Sequence, residues 1–95
     1  HVEVPPPDAE GRRHIWESKI PPRVPGRDQL TWDALAEISD GLVGGEIRNA
    51  VVMALAVAAS RAEPERVLRL SDLQSAIDQV RRAKRDVGGH DLAPQ

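Results

Sequence analysis

The chain has 95 residues, with 13 Lys and Arg against 15 Asp and Glu, two Trp, and no Phe, Tyr or Cys. A single domain of this length buries about 60–65% of its unfolded surface, and without cysteine it has no disulfide staple, thiolate zinc ligand or thiol nucleophile. The formal net charge of −2 argues against a general nucleic-acid or acidic-lipid binder and leaves room only for a local patch.

Six of the eight prolines lie in the first 25 residues. Val2-Glu3-Val4 alternates like the end of a strand, and Pro5-Pro6-Pro7 forbids further pairing. The partners of that strand are expected upstream, since a chain that opens at His1 without a Met reads as a piece of something longer. Asp8 is placed to cap a helix from Ala9 to about Lys19, with Ile15 and Trp16 as its strong apolar residues. Gly11 weakens it by about 1 kcal/mol relative to Ala. Pro21-Pro22 stops it, and the loop from Pro21 to Leu30 is expected to run over the surface.

Thr31 is the next cap candidate, for a short helix from Trp32 to Ser39 with Trp32, Leu35, Ala36 and Ser39 on one face. Gly41 follows where a left-handed residue is wanted. The strongest periodicity predicts a helix from about Gly45 to Arg61. Ile47, Val51, Ala54, Leu55 and Ala58 line one stripe, and Val52 and Ala56 or Ala59 widen it, so this helix is expected to sit centrally. Its apolar run, Ala50 to Ala59, is about half of a membrane span. No charged-then-apolar signal segment opens the sequence; the expected location is cytoplasmic.

Glu63-Pro64-Glu65 is a break, and Val67 to Leu70 reads as a short extended segment. Ser71 and Gln74 fit a capping box for a last helix reaching about Asp86, its buried stripe being Leu73, Ala76, Ile77, Val80 and Ala83. Gly88-Gly89 is expected to end it. The expected fold is therefore all-α, a small four-helix bundle: residues 1–8 a strand and proline stub, 9–87 the helical domain, and 88–95 a disordered tail.

Catalytic chemistry is sparse. His1, His14 and His90 lie on three different segments without metal-ligand spacing. The serines have no glycine elbow, and no GxxxxGK[ST] loop occurs, so the chain is not expected to bind and hydrolyse a nucleotide alone. Arg81, Arg82, Lys84 and Arg85 form the one dense basic run, read as the complement of a helix C-terminus or else as a partner patch. Gly44-Gly45-Glu46 either exposes backbone amides to an approaching molecule or makes a tight interhelical turn needing positive φ.

The order of these motifs resembles one family. His1-Val2-Glu3-Val4-Pro5-Pro6-Pro7-Asp8 looks like the last core strand and linker of an AAA+ ATPase module. Gly11-Arg12-Arg13-His14-Ile15-Trp16 resembles its first lid helix, "R-x-x-I-(W/L)", and Lys19 to Pro25 the proline-rich loop that follows. Leu35-Ala36 with Asp40-Gly41-Leu42-Val43-Gly44-Gly45-Glu46-Ile47 is similar to the family's "LA…T-x-G-F-S-G-A-D-I" segment. Leu70-Ser71-Asp72-Leu73 and Ala76-Ile77 resemble the closing "D-(F/L)-x-x-A-(I/L)" element. The likeness spans about residues 1–86 and is nearest to the AAA branch, which includes protease-coupled and chaperone-type unfoldases.

The resemblance implies a C-terminal helical lid that closes over ATP or ADP with Mg held by an α/β core. The phosphate loop, Walker B acid and arginine fingers belong to that core, so no nucleotide is expected on the lid alone and it is not itself an enzyme. Implied nucleotide-facing residues are Gly44 and Gly45, at the family's Gly-Ala position, with Ile15 from the first lid helix. Lys19 stands where many relatives have a His that approaches adenine. Arg48 lies one turn into the third lid helix, with Glu46 at the place where other AAA+ branches carry a γ-phosphate-sensing arginine. Implied partners are the core domain of the same chain, neighbouring subunits of a hexamer and a protein substrate, with no nucleic acid and no membrane in this segment. The alternative is a stand-alone helical adaptor or helix-turn-helix DNA-binding module built on Thr31–Ser39 and Gly45–Arg61. A recognition helix is polar and basic on its exposed face, and Ala50-Val51-Val52-Met53-Ala54-Leu55 is the opposite.

Overall fold

A computed structural model describes residues 6–92, with side chains through Arg85. Four helices form the domain: α1 (Ala9–Lys19), α2 (Trp32–Ile38), α3 (Gly44–Ser60) and α4 (Leu70–Leu92). No strand occurs among the described residues. The strand expected at residues 2–4 lies outside them, as do residues 93–95.

The helices pair in chain order. α1 packs on α2 and α3 on α4, while contacts of α1 with α3 and of α2 with α4 close the bundle. α3 is the central element, with Ile47, Ala50, Val51, Ala54 and Ala58 buried along its length. Its alanines bring neighbouring backbones close at little conformational cost. Trp16, Ile20, Leu35, Leu42, Leu68, Leu73 and Ile77 complete the core.

Local chemistry sets the first boundaries as expected. The Asp8 carboxylate accepts the Gly11 amide at 2.8 Å and caps α1. Gly41 takes a left-handed φ of 86° after α2. Thr31 stands at the N-cap of α2, but its hydroxyl makes no capping hydrogen bond.

Three expectations are corrected. The loop from Pro21 to Leu30 does not simply run over the surface: Ile20 and Leu30 are buried at its two ends, and Arg27 fastens it. The Arg27 guanidinium donates to the carbonyls of Ile20 (2.8 Å) and Glu17 (3.2 Å), which caps the C-terminal end of α1, and it stacks 4.8 Å from the Trp32 ring centre. A 3₁₀ turn over Arg27–Gln29 completes the segment.

The start of α4 also differs. The helix begins at Leu70, and its first turn is capped by Asp72 rather than by a Ser71–Gln74 box. One Asp72 oxygen accepts the Arg69 amide at 3.0 Å. Both oxygens accept from Arg61, at 3.1 and 2.7 Å. Arg61 in turn donates to the carbonyls of Glu65 (2.8 Å) and Val67 (2.7 Å), so one side chain organises the entire α3–α4 connection. Asp72 wins over Ser71 because a charged, bidentate partner outweighs a neutral hydroxyl cap.

The third correction is the end of α4, which continues past Gly88-Gly89 to Leu92. Glycine in a helix costs about 1 kcal/mol relative to Ala but keeps its amide donor, and no proline follows in the helix to enforce a stop.

The Arg61–Asp72 pair carries a pH prediction. Arg61's hydrogen bonds, then the Arg69 amide and the nearby positive charges, hold the Asp72 carboxyl below its ordinary range despite partial burial. A depressed folded-state pKa contributes stability that is complete above the unfolded value, about 3.9, and that is lost as pH falls through the folded value. Asp72→Ala is expected to cost about 1–2 kcal/mol at neutral pH, allowing for solvent around the pair. Chemical denaturation at several pH values should show that difference constant above about pH 5 and shrinking below about pH 4. A difference independent of pH down to about pH 2 would show that the ion pair does not contribute.

Candidate functional site

The candidate site is the end of the bundle where α3 begins. Gly44 and Gly45 are its first two helical residues. Neither has positive φ, so the alternative reading of this pair as a left-handed interhelical turn is corrected: the glycines are helix, not turn. The amides of Glu46 and Ile47 bond back to the Val43 carbonyl, both at 3.0 Å. Those of Gly44 and Gly45 have no acceptor among the described residues, which leaves two orphan donors of the kind that face a ligand or water.

The absence of side chains keeps this end open. A Cβ built on Gly45 would meet nothing within 4 Å, and one on Gly44 would meet only Ile15 Cδ1, at 3.9 Å. Packing of α1 against α3 therefore brings Ile15 beside Gly44. Ile15 is half-buried and Gly45 exposed, so the two glycine amides and one apolar side chain share a surface.

Glu46 organises the flank. Its carboxylate accepts the Val43 amide at 3.0 Å, satisfying a third donor of the helix start, and pairs with Lys84 Nζ of α4 at 3.4 Å. Its negative charge sits at the favourable end of the α3 dipole. Arg48, two residues further along, is exposed and lines the groove between α3 and α4 together with Lys84. Lys19, the last residue of α1, is exposed, and its side chain makes no hydrogen bond or ion pair among the described residues. Of the five sequence candidates, Ile15 and Gly44 meet, Gly45 follows Gly44 in the first turn of α3, Arg48 faces the α3–α4 groove, and Lys19 stands at the C-terminal end of α1, one turn beyond Ile15.

Between α1 and α2 lies a polar cluster that was not among the expected site residues. Arg12 is buried and donates to the carbonyls of Ala36 (2.8 Å) and Pro7 (3.0 Å). Asp40, 3.5 Å away, is 84% exposed, so the two carbonyl bonds carry most of the compensation for burying the charge. The Trp16 indole donates to Ser39 Oγ at 3.0 Å, and Ser39 donates to the Leu35 carbonyl at 2.6 Å. Arg12 and Trp16 are four residues apart on one face of α1, and that spacing was the available signal. Arg12 ties Pro7, just before α1, to the end of α2.

The basic run in α4 is also re-explained. Since α4 reaches Leu92, residues 81–85 lie well before its last turn, where the dipole no longer accounts for them. Arg81 instead donates to the Ile38 carbonyl at 2.7 Å, capping the C-terminus of α2, and Lys84 reaches Glu46 at the N-terminus of α3. No helix of the described residues is long and apolar enough to cross a membrane. The exposed face of α3 from Asn49 to Ser60 carries no charged residue. No protein-family model, curated protein or solved structure matches the chain.

Proposed function

We propose that this domain is the C-terminal helical lid of an AAA+ ATPase of the AAA branch. It closes over ATP bound with Mg by an α/β core of the same polypeptide and passes nucleotide-dependent motion to neighbouring subunits of a cytoplasmic hexamer that unfolds or remodels a protein substrate. The observation that carries the proposal is the open helix start at Gly44-Gly45, with two free amides, no obstructing side chain and Ile15 alongside. It falls at the place where the ordered motifs of the resemblance put the adenine and ribose. In this reading the glycines allow close approach of the nucleotide, Ile15 supplies apolar contact, and Lys19 and Arg48 add positive charge at the margins. Arg12, by holding Pro7 against α2, makes the linker and the bundle move as one body.

The test uses Gly45→Glu in the full-length gene product. The added side chain enters open space and carries a charge suited to a helix N-terminus, so the melting temperature of the domain is expected to stay the same. The KM for ATP is expected to rise about tenfold or more, the equivalent of about 1.4 kcal/mol of lost binding. Unchanged ATP affinity in a stably folded variant would contradict the proposal.

A further inference from the structure

We propose that Asp40-Gly41, in the turn between α2 and α3, is a site of spontaneous backbone modification: the chain isomerises there to isoaspartate through a cyclic imide, and the path into α3 is altered. The inference does not rest on the lid reading.

One aspartate of the chain is followed by glycine, and each of the other seven is followed by a residue with a side chain. Ring closure needs a carboxyl free to turn, a following amide nitrogen that is not held by a hydrogen bond, and open space beside that nitrogen. Asp40 meets all three conditions. Its side chain is 84% exposed, and its ion-pair partner, Arg12 Nη1, is 3.5 Å away. The Arg12 guanidinium is already committed to the Ala36 and Pro7 carbonyls, so it restrains the carboxylate weakly. The hydrogen bonds of the turn run from the Asp40 amide to the Glu37 carbonyl (3.4 Å) and from the Leu42 amide to the Ser39 carbonyl (3.0 Å). The Gly41 amide between them donates to no acceptor among the described residues. Gly41 is exposed, and even a Cβ placed there would meet nothing within 4 Å. A cleft of about 690 Å³ between α1 and α2 reaches Asp40 and admits water. By contrast, Asp33 and Asp78 lie inside helices, and Asp72 is held by Arg61.

The chemistry needs only the chain and water. The Gly41 nitrogen attacks Cγ of the protonated Asp40 carboxyl, an N–Cγ bond forms, and the carboxyl hydroxyl leaves as water with the amide proton. Water then adds to the imide at one of its two carbonyls. Addition at Cγ breaks the new bond and restores aspartate. Addition at the main-chain carbonyl carbon breaks its bond to the Gly41 nitrogen, so the backbone now runs through Cβ and Cγ and the carboxylate stands on Cα. One water is lost and one regained. The longer backbone draws the Leu42 amide away from the Ser39 carbonyl. Leu42 is buried, and α3 begins two residues later at Gly44, so the change is passed to the start of that helix.

The test ages the folded, isotope-labelled chain at neutral pH for several weeks. Isoaspartate is then mapped by electron-transfer mass spectrometry on the tryptic peptide 28–48, which holds Asp28, Asp33 and Asp40 together. The product at Asp40 is expected to exceed that at either of the other two by at least about tenfold. A second set of NMR signals for the amides of Leu42 to Gly45 should grow in step with it. Asp40→Glu, whose carboxyl would have to close a larger ring, should abolish the product. Gly41→Asn suits the left-handed turn but sets a side chain beside the nucleophile, and should lower the product at least about fivefold. No isoaspartate at Asp40, equal amounts at the aspartates of that peptide, or isoaspartate without the second set of amide signals would each overturn the proposal.

Discussion

Gly26→Ala is expected to lower the stability of the domain by about 3 kcal/mol, more than any other single methyl added to its surface loops. Gly26 has a φ of 91°, a conformation that costs an L-residue about 1–2 kcal/mol. A Cβ at this position would stand 2.4 Å from the Leu68 carbonyl oxygen and 3.0 Å from the Leu68 nitrogen. Both are backbone atoms, so no side-chain rotation relieves the clash. Relief requires separating the two segments, which lengthens the bond from the Leu68 amide to the Pro25 carbonyl, 2.8 Å in the native structure, and adds about 1 kcal/mol. That contact joins the loop after α1 to the segment before α4, and the buried Leu68 side chain depends on it. For a domain of this size, thermal unfolding followed by circular dichroism should show a fall of about 12–24 °C. Gly45→Ala serves as the control, because its Cβ meets nothing within 4 Å; equal losses for the two variants would contradict the close-approach argument.

Trp16→Ala should be more severe, costing about 3–5 kcal/mol, a large share of the total stability of a small domain. Trp16 is fully buried, and Trp32, the other tryptophan, packs against the core only from its edge, so no buried ring fills the space it leaves. Its indole also satisfies Ser39 Oγ at 3.0 Å, and Ser39 is itself fully buried. Trp16→Phe separates the two contributions. It keeps most of the volume but leaves the serine oxygen without its donor, and is expected to cost about 1–2 kcal/mol. Trp32→Phe provides a background in which Trp16 is the only fluorophore, so its emission reports the unfolding of the core directly. A Trp16→Ala protein with native stability in urea would contradict the placement of this residue at the centre of the fold.

What could be read from the sequence was the part written in local chemistry. Asp8, the Pro21-Pro22 pair and Gly41 each act on the few residues beside them, and the bounds of α1, α2 and α3 came within a residue of their observed positions. The start of α4 escaped because its cap is chosen at a distance: Arg61, eleven residues before Asp72, turns that carboxylate toward the Arg69 amide. Its end escaped because two glycines weaken a helix without forbidding it. The fastening of the Pro21–Leu30 loop escaped because Arg27 binds backbone carbonyls, which every residue possesses and no composition advertises. In the candidate site, the glycine pair stood out as residues, whereas the meeting of Ile15 with Gly44 depends on how α1 crosses α3 and is visible only in three dimensions. The α3–α4 groove has the same origin: its two walls are some 25 residues apart in the chain, and only packing makes them neighbours.

The proposal that this domain is the lid of an ATP-driven machine is tested most directly by reading the coding sequence immediately upstream of His1. The account predicts, in the same reading frame and within the preceding few hundred codons, a GxxxxGK[ST] phosphate loop followed by a Walker B acid. An open frame of that length with neither element would contradict it.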